Sequence, residues 1–405
     1  MKCKICNNDN LVKFLSLGDT ALANSYVSEK DLNKEEKKFP LDICFCPICN
    51  LVQLMYIVSP EVLFKHYLYV SSTSNTSKLH FAQMAESLTE EYNLDEKSLA
   101  VDVGSNDGLL LKAFQKHGVK TIGVEPATNL AKIAEQNGVE TINDFLNYQV
   151  VDRIINSNGR ADVVTANNVF AHIADIHDML KNVKLLLKDD GIFVIEVAYL
   201  VDMLNQMTFD SIYHEHIFYY SLTSLDYIFK NNGMQIFKVQ HVPSHGGSLR
   251  AFVKKQGSDI RVESSVSEFL KKEKGLVDDI KTYKEFATKV YTAKEKLKNS
   301  IMALKGQGKR LAAYGAPAKA TTLLSFCEID RDCVDYIVDD SPLKQGLFTP
   351  GTHIPIVSSR MLDEKMPDYI LILAWNFAEE ILNKAKKYRD AGVQFIIPLP
   401  EPVII

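Results

Sequence analysis

Side chains able to transfer protons are concentrated between residues 210 and 220 of this chain. The stretch contains the tetrad Tyr213-His214-Glu215-His216, with further tyrosines directly after it. Two imidazoles with ordinary pKa values near ~6.5, a carboxylate and several phenols could supply a base, an orienting group and an enolate-stabilising donor at neutral pH. The composition of the stretch therefore predicts a proton-transfer site.

Five of the seven cysteines lie within the first 49 residues. Two pairs have Cys-x2-Cys spacing and are separated by 39 residues, namely Cys3 with Cys6 and Cys46 with Cys49. Each pair places two thiolates on a tight turn, and four thiolates close a tetrahedral zinc site without an open position, so we expect a structural zinc ion. Cys44 is interpreted as a strand residue beside these cysteines and not as a zinc ligand. The alternative is a group of buried, reduced cysteines without metal.

Size and composition are those of a globular protein with two or three domains, since the 405 residues are 46% hydrophobic and 24% charged. The net charge of −5 argues against nucleic acid as a main partner. No apolar run approaches the ~20 residues that cross a bilayer, and the N-terminus lacks a signal-peptide core. We therefore expect a cytoplasmic protein without a nucleic-acid or membrane partner, and the oligomeric state stays open.

A buried strand over residues 98–103 leads through a glycine turn into a helix from Leu109, as in the first unit of a doubly wound nucleotide-binding fold. The next strand ends in an acid about 20 residues beyond the glycines, where a carboxylate can bind two ribose hydroxyls. The turn is G-x-N-x-G rather than G-x-G-x-x-G, and its acidic and amide side chains suit a cationic adenosyl ligand. S-adenosylmethionine is therefore favoured over NAD, with Asp102, Gly104, Asn106, Asp107, Gly108 and Glu125 as cofactor-binding candidates.

Polar side chains follow the later strands of this unit at Asp144, Asn167, Asn168, His172 and Glu196. Ligands of open α/β sheets bind outside the carboxyl ends of the strands. We therefore expect Asp144 and Asn167 to contact the cofactor and His172 to lie in the pocket. The alternative for His172 is a helix-capping or exposed histidine.

Two segments that flank this unit each allow two structural interpretations. Residues 64–74 are rich in tyrosine and hydroxyl groups and fit either a lid over the pocket or a polar connector. The loop His245-Gly246-Gly247-Ser248-Leu249-Arg250 would let the backbone approach phosphate or sugar oxygens, with the arginine as a bidentate partner. Its alternative is a tight hairpin with a surface arginine.

The C-terminal part of the chain repeats the strand, glycine turn and helix arrangement around Tyr314-Gly315-Ala316-Pro317-Ala318-Lys319, and a later strand ends at Trp375-Asn376. This predicts a second Rossmann-like domain that clamps a phosphorylated substrate or serves as a scaffold. Residues 261–300 read as a charged helical connector. The expected order is a zinc-binding module (1–62), a nucleotide-fold domain (63–260), the connector (261–300) and the second Rossmann-like domain (301–405).

Taken together, the motifs resemble the sugar C-methyltransferases that methylate C3 of a nucleotide-linked 4-keto-deoxysugar. The resemblance spans nearly the whole chain in the same domain order. It rests on the two Cys-x2-Cys pairs, Leu15-Ser16-Leu17-Gly18, Leu22-Ala23-Asn24, Val101-Asp102-Val103-Gly104-Ser105-Asn106-Asp107-Gly108, Tyr213-His214-Glu215-His216, His245-Gly246-Gly247-Ser248-Leu249-Arg250, Tyr314-Gly315-Ala316-Pro317-Ala318-Lys319, Pro350-Gly351-Thr352-His353-Ile354-Pro355 and Trp375-Asn376.

The resemblance implies a class I methyltransferase domain binding S-adenosylmethionine, a structural zinc and a dTDP-type sugar nucleotide between domains. Carried over by motif, His216 looks like the general base, with Tyr213 and Glu215 as its companions and His172 and Tyr67 as further active-site residues. Ala320 departs from the glycine more usual there, which weakens any role for that loop. The substrate-binding candidates are Asn168, His245, Gly246, Ser248, Arg250, Lys319, Trp375 and Asn376.

Three alternatives stay open at this point. An O- or N-methyltransferase would need no keto group on its acceptor. A binding protein could use a zinc ribbon on a degenerate methyltransferase scaffold. An NAD-dependent oxidoreductase is disfavoured by the spacing of the first glycine turn.

Overall fold

The cysteine-rich end of the chain folds into a small antiparallel sheet. The computed structural model describes residues 1–64 and 69–405, apart from the side chains of Phe64 and His245. Tyr67, one of the expected active-site residues, thus lies outside the described residues. The strands of this module are β1 (Val12–Thr20), β2 (Val27–Ser28), β3 (Phe39–Phe45) and β4 (Val52–Leu54).

The central domain is a doubly wound α/β unit. Its helices before the last hairpin are α1 (Pro60–Phe64), α2 (Asn75–Glu91), α3 (Leu109–Lys116), α4 (Thr128–Gln136), α5 (Tyr148–Asn158), α6 (Ile176–Leu186), α7 (Leu200–Gln206) and α8 (Leu222–Asn231). Its strands are β5 (Leu99–Val103), β6 (Lys120–Val124), β7 (Thr141–Ile142), β8 (Ala161–Asn167), β9 (Leu187–Ala198), β11 (Met234–Val242) and β12 (Ser248–Lys255), while β10 (Phe218–Tyr219) belongs to another sheet.

The strand order of the central sheet is β11-β12-β9-β8-β5-β6-β7. β5 pairs in parallel with both β6 and β8, so the chain reverses its direction of winding at β5. A ligand crevice forms at such a switch point, outside the carboxyl ends of the strands. That end carries the glycine turn after β5 and the asparagines after β8, as the sequence predicts.

The C-terminal domain confirms the second Rossmann-like sheet, with strand order β16-β14-β13-β17-β18-β19. Its strands are β13 (Leu311–Tyr314), β14 (Ile337–Val338), β15 (Leu347–Phe348), β16 (Ile356–Val357), β17 (Tyr369–Ile372), β18 (Gln394–Ile397) and β19 (Val403–Ile404). Its helices are α9 (Ser264–Glu273), α10 (Ile280–Gly306), α11 (Ala318–Phe326), α12 (Met361–Glu364), α13 (Ala378–Lys384) and α14 (Lys386–Asp390). The boundary expected at residue 301 falls inside α10.

Helix α10 is more than a solvated connector, because one of its faces is buried. Apolar positions recur at three- and four-residue spacing, so they form one stripe of the helix. The ring of Tyr283 packs against Phe14 of β1 and Phe45 of β3, with ring centroids 5.1 and 4.8 Å apart. The helix thus joins the N-terminal sheet to the core of the C-terminal domain through the buried residues Tyr283, Phe286, Ala287, Val290, Ala293, Leu297, Ile301 and Leu304.

Two strand pairings join the domains to the N-terminal module. β10, which directly follows the proton-transfer tetrad, pairs with β4 through Phe218 and Gln53. β15 of the C-terminal domain pairs with β2. The tetrad therefore lies where all three domains meet. In the described part of the chain, no helix combines the length and apolar composition needed to span a bilayer.

Candidate active site and zinc centre

The four paired cysteines form one cluster. The Sγ atoms of Cys3 and Cys49 lie 3.5 Å apart, those of Cys6 and Cys46 lie 3.4 Å apart, and all four fall within 4.8 Å of one another. Tetrahedral zinc with Zn–S bonds of about 2.3 Å requires sulfur atoms about 3.8 Å apart, so the set fits zinc.

Both cysteine turns have the same backbone. Asn7 and Asn50, each four residues after the first cysteine of a pair, have φ of 59° and 55°, and each donates its N–H to the carbonyl of that cysteine. Cys44 lies outside the cluster, where its thiol contacts the Gln53 carbonyl at 3.6 Å and burial raises its pKa to about 12. The arrangement is a closed four-thiolate site and not a catalytic one.

The glycine turn after β5 needs both of its glycines. Gly104 and Gly108 have φ of 68° and 79°. A Cβ on Gly104 would lie 2.4 Å from Val169, and one on Gly108 would lie 2.9 Å from Val139. Any larger residue would therefore strain the backbone and displace the valine side chain beside it.

Acidic side chains support the turn from below. Glu125 accepts the backbone N–H groups of Asn106 and Ala127 at 2.8 Å each, and burial raises its pKa. Asp102 accepts the Thr165 hydroxyl at 2.5 Å, and burial raises its pKa to about 7 despite that bond. Glu125 thus fixes the turn, whereas Asp102 joins β5 to β8.

Several buried polar atoms at this crevice lack a hydrogen-bond partner among the described residues. They are Oδ1 and Nδ2 of Asn167, Oδ1 of Asp107 and Oγ of Ser105. Buried polar groups normally find partners, so a polar ligand is expected to supply them. These atoms and the glycine cradle fit S-adenosylmethionine.

The hydroxyl-rich segment after residue 70 covers the turn. Ser71 and Ser72 donate their backbone N–H groups to Asn106 Oδ1 and Asp107 Oδ2 at 3.0 and 3.1 Å. This contact agrees with a pocket wall rather than a free connector. Asp144 lies farther out, exposed, and caps its own loop by accepting the Phe145 N–H at 2.7 Å.

His216 is held at both ring nitrogens. Its Nδ1 lies 2.7 Å from the Ser211 carbonyl, and its Nε2 lies 2.9 Å from the Tyr213 hydroxyl. Because a carbonyl only accepts, Nδ1 carries the proton and Nε2 presents its lone pair to the phenol. The His172 ring lies 5.1 Å away between centroids, and burial, with the charge of His216, lowers its pKa well below the ordinary value. His172 is thus a neutral imidazole beside the expected base.

Glu215 and His214 point to the N-terminal module. Glu215, 2% exposed, accepts the side-chain amide of Asn24 at 2.6 Å. His214, 1% exposed, bonds through Nε2 to the Phe39 carbonyl at 3.2 Å, and burial lowers its pKa. The sequence indicates no role for His214, and the structure shows that it bonds the tetrad to the N-terminal module. The Leu22-Ala23-Asn24 motif alone does not indicate a role for Asn24, and its bond to Glu215 shows one.

Arg250 is not a surface arginine and is not turned outward toward a phosphate. Arg250 lies in the β11–β12 hairpin, and its Nε and Nη2 both donate to Oε2 of Glu196 in β9, at 3.1 and 2.9 Å. His80 and Ser244 also bond to Glu196. Burial raises the pKa of Glu196, but these partners outweigh burial and hold it at about 2. The strand-end position pointed to Glu196, whereas nothing in the sequence pointed to His80.

The other expected substrate residues are spread over two domains. Asn168 has φ of 56° and donates its N–H to the Glu196 carbonyl at 2.7 Å. Gly246 and Ser248 shape the hairpin turn, in which the side chain of His245 is not described. Lys319 and Trp375 converge on Asp210, directly before the tetrad, whereas Asn376 is exposed.

The fold and the two centres define an S-adenosylmethionine-dependent methyltransferase with a structural zinc module. Family models match residues 3–64 as a zinc binding domain, residues 79–239 as a methyltransferase domain and residues 243–400 as a C-methyltransferase C-terminal domain.

The chain is 37% identical over 405 residues to the C-methyltransferase NovU of Streptomyces niveus. The match covers 100% of this chain and 96% of NovU. It therefore belongs to the C-methyltransferase family, and the expectations of a C-methyltransferase, of S-adenosylmethionine and of a zinc module are confirmed. A ubiquinone biosynthesis O-methyltransferase of Coxiella burnetii is 34% identical over 93 residues, 22% of this chain and 39% of that enzyme.

Solved methyltransferase structures resemble the central domain more distantly. Magnesium protoporphyrin IX methyltransferase from Synechocystis PCC 6803 with bound SAM has a TM-score of 0.34 at 14% identity, covering 44% of this chain and 79% of that one. A S-adenosylmethionine-dependent methyltransferase from Clostridium acetobutylicum has a TM-score of 0.37 at 14% identity, covering 46% and 94%.

Proposed function

We propose that this C-methyltransferase deprotonates C3 of a nucleotide-linked 4-keto-deoxysugar, of the dTDP type, and methylates the resulting enolate. The observation that carries the proposal is the His216 ring, whose Nδ1 is bonded to the Ser211 carbonyl while Nε2 meets the Tyr213 hydroxyl. An imidazole held in one tautomer beside a phenol is suited to take a proton from carbon next to a ketone.

In this mechanism the Tyr213 hydroxyl turns from Nε2 of His216 to the C4 ketone oxygen when substrate binds, and the freed Nε2 accepts the C3 proton that the ketone acidifies. The hydrogen bond from Nδ1–H to Ser211 strengthens as the ring becomes an imidazolium, which stabilises the charge that forms. Tyr213, or the neutral His172, donates to the enolate oxygen, and such a donor contributes most where water is excluded. S-adenosylmethionine, held at the glycine turn, would supply the electrophilic methyl group, and its S–CH3 bond would break as the C3–CH3 bond forms, with S-adenosylhomocysteine as the leaving group.

The remaining side chains serve binding and support. We assign the cofactor to Asp102, Gly104, Asn106, Asp107, Gly108, Glu125, Asp144 and Asn167. Glu215 supports the base, and Tyr67 is kept as a further active-site candidate from the family resemblance. The sugar nucleotide is assigned to the interface of the central and C-terminal domains, near Asn168, the 245–250 hairpin, Lys319, Trp375 and Asn376.

The proposal is tested with His216→Asn, and His117→Asn serves as the control because His117 is exposed at the end of α3. dTDP-, GDP- and CDP-linked 4-keto sugars are screened for the mass gain of one methyl group, and C3 deuterium exchange is followed by NMR in D2O. We expect His216→Asn to bind S-adenosylhomocysteine normally while losing both methyl transfer and exchange.

Three results would contradict the proposal. Near-normal turnover of His216→Asn would remove it as the base. Methyl transfer without C3 exchange, with the new methyl on oxygen or nitrogen, would indicate an O- or N-methyltransferase. If His117→Asn lost deuterium exchange and methyl transfer to the same extent as His216→Asn, both losses would come from a general folding defect and not from removal of the base.

A further inference from the structure

Three side chains from two domains meet directly before the proton-transfer tetrad. Asp210, 0% exposed, accepts the indole N–H of Trp375 at 2.7 Å through Oδ2. The ammonium group of Lys319 lies 3.7 Å from the same oxygen and 4.4 Å from the centroid of the Trp375 ring. Asp210 belongs to the central domain, whereas the other two follow β13 and β17 of the C-terminal domain.

This cluster is incompletely bonded. Oδ1 of Asp210 has no partner among the described residues. Lys319, whose side chain is 18% exposed, makes no hydrogen bond within the same part of the chain, because 3.7 Å exceeds hydrogen-bond length. Burial raises the pKa of Asp210 and lowers that of Lys319. A buried carboxylate oxygen without a partner therefore lies beside a partly exposed ammonium group, and one further polar group could bond to both.

The chemistry of the pair selects the missing group. A hydroxyl can donate to Oδ1 of Asp210 and accept from Lys319 at once. A phosphate only accepts at neutral pH, and the carboxylate of Asp210 would repel its charge.

The position of the cluster ties it to the reaction centre. Asp210 directly precedes Ser211, whose carbonyl bonds to the ring of His216. The Thr322 hydroxyl of α11 donates to the Ile212 carbonyl at 2.7 Å, so the helix that carries Lys319 also holds this loop. A ligand bound at the cluster thus lies beside the loop that carries the proposed base.

We propose that Asp210, Lys319 and Trp375 form a subsite that recognises one hydroxyl of the sugar nucleotide and so helps to set substrate specificity. The proposal rests on the proposed function for the identity of the ligand, but not for the chemistry of the subsite. The hydroxyl belongs either to the keto sugar or to the nucleotide's deoxyribose, and both sources share the same chemistry.

Trp375 is the one tryptophan of the chain, so its fluorescence reports on this subsite alone. The full-length protein is titrated with dTDP, with a dTDP-linked 4-keto-6-deoxy sugar, and with its 2-deoxy and 3-deoxy counterparts. Asp210→Asn and Lys319→Gln are compared with Asp363→Asn, whose exposed carboxylate is paired with Lys387.

We expect Asp210→Asn and Lys319→Gln each to raise the Kd of the hydroxylated ligand by about 10- to 100-fold, the effect of losing a hydrogen bond to a charged group. If the hydroxyl belongs to the keto sugar, one deoxy analogue should bind the wild type as weakly as the full ligand binds Asp210→Asn, and its Kd should not rise further in that variant. Asp363→Asn should leave every Kd unchanged. If dTDP alone shows the full dependence on Asp210, the hydroxyl is that of the deoxyribose.

An unchanged Kd in Asp210→Asn would overturn the subsite and leave water as its occupant. A lower Kd would also overturn it, because relief of repulsion indicates a phosphate. Lys319→Gln removes the other proposed partner of the same hydroxyl and decides the matter where Asp210→Asn fails to fold. Asp210-dependent binding without methyl transfer would refute the proposed function alone, and methyl transfer with Asp210-independent binding would refute the subsite alone.

Discussion

The hydroxyl of Tyr213 lies 2.9 Å from Nε2 of His216, and the two rings pack with centroids 4.1 Å apart and planes tilted by 37°. The backbone supports this pairing, because the His216 N–H donates to the Tyr213 carbonyl at 2.9 Å in a single turn. Phenol and imidazole therefore pack as one unit, so the hydroxyl can be removed while the ring stays in contact with the imidazole.

Tyr213→Phe should remove the hydroxyl while keeping the ring packed against His216. We expect kcat for methyl transfer to fall by about 100-fold, the lower range for loss of one positioned proton-transfer group, while the melting temperature stays within a few degrees. Steady-state kinetics checks this, with Tyr148→Phe as the control because that tyrosine is 59% exposed. An unchanged kcat would leave His172 as the enolate donor.

Asn24→Asp, a substitution in the zinc module, should lower methyltransferase activity. The new carboxylate would lie against Glu215, whose oxygen now accepts the Asn24 amide at 2.6 Å. Like charges in a buried site repel and the amide hydrogen bond is lost, so we expect kcat/KM to fall at least about 10-fold.

The matched control for this change is Asn156→Asp, which places a carboxylate beside Asp152 on the exposed face of α5. Its kinetics should equal wild type, and zinc content should be the same in both variants. Loss of zinc in Asn24→Asp would point to misfolding of the module instead of charge repulsion.

Asp102→Asn should change how stability depends on pH. The pKa of Asp102 is raised to about 7 by burial, so the folded state keeps its proton while the unfolded state, with a pKa near ~3.9, loses it. The wild type therefore loses stability from this group as pH rises from about 4 to 7, and the variant does not.

We expect the free energy of unfolding of Asp102→Asn relative to wild type to increase over that range by on the order of 2 to 4 kcal/mol and to level off above pH 7. Urea unfolding of the ligand-free protein followed by circular dichroism measures it. A difference that is constant between pH 4.5 and 7.5 would show that Asp102 ionises normally.

Cys46→Ser and Cys44→Ser should separate the zinc ligands from their neighbour. Cys46 belongs to the four-thiolate cluster, whereas Cys44 contacts the Gln53 carbonyl. We expect Cys44→Ser to retain one zinc per chain and near-normal activity. Cys46→Ser should lose zinc and, because the module carries Asn24, most of the activity. Elemental analysis and kinetics decide this, and equal zinc loss in both variants would contradict the assignment.

Local patterns determined much of this protein from its sequence. The Cys-x2-Cys spacing sets two identical turns, because a turn depends only on neighbouring residues. The strand from residue 98, the glycines after it and the helix from Leu109 are likewise short-range features. Strand ends located the crevice, since parallel strands place their carboxyl ends on one edge of a sheet.

Tertiary structure alone decided which distant side chains meet. Arg250 was expected to face a ligand, and the structure turns it onto Glu196, 54 positions away. Asn24 reaches Glu215 across 191 positions, and Trp375 reaches Asp210 across 165. Periodicity and spacing describe one element at a time, whereas these contacts depend on how three domains dock. The sequence thus determined the chemistry of the tetrad, and the docking of the domains decided what surrounds it.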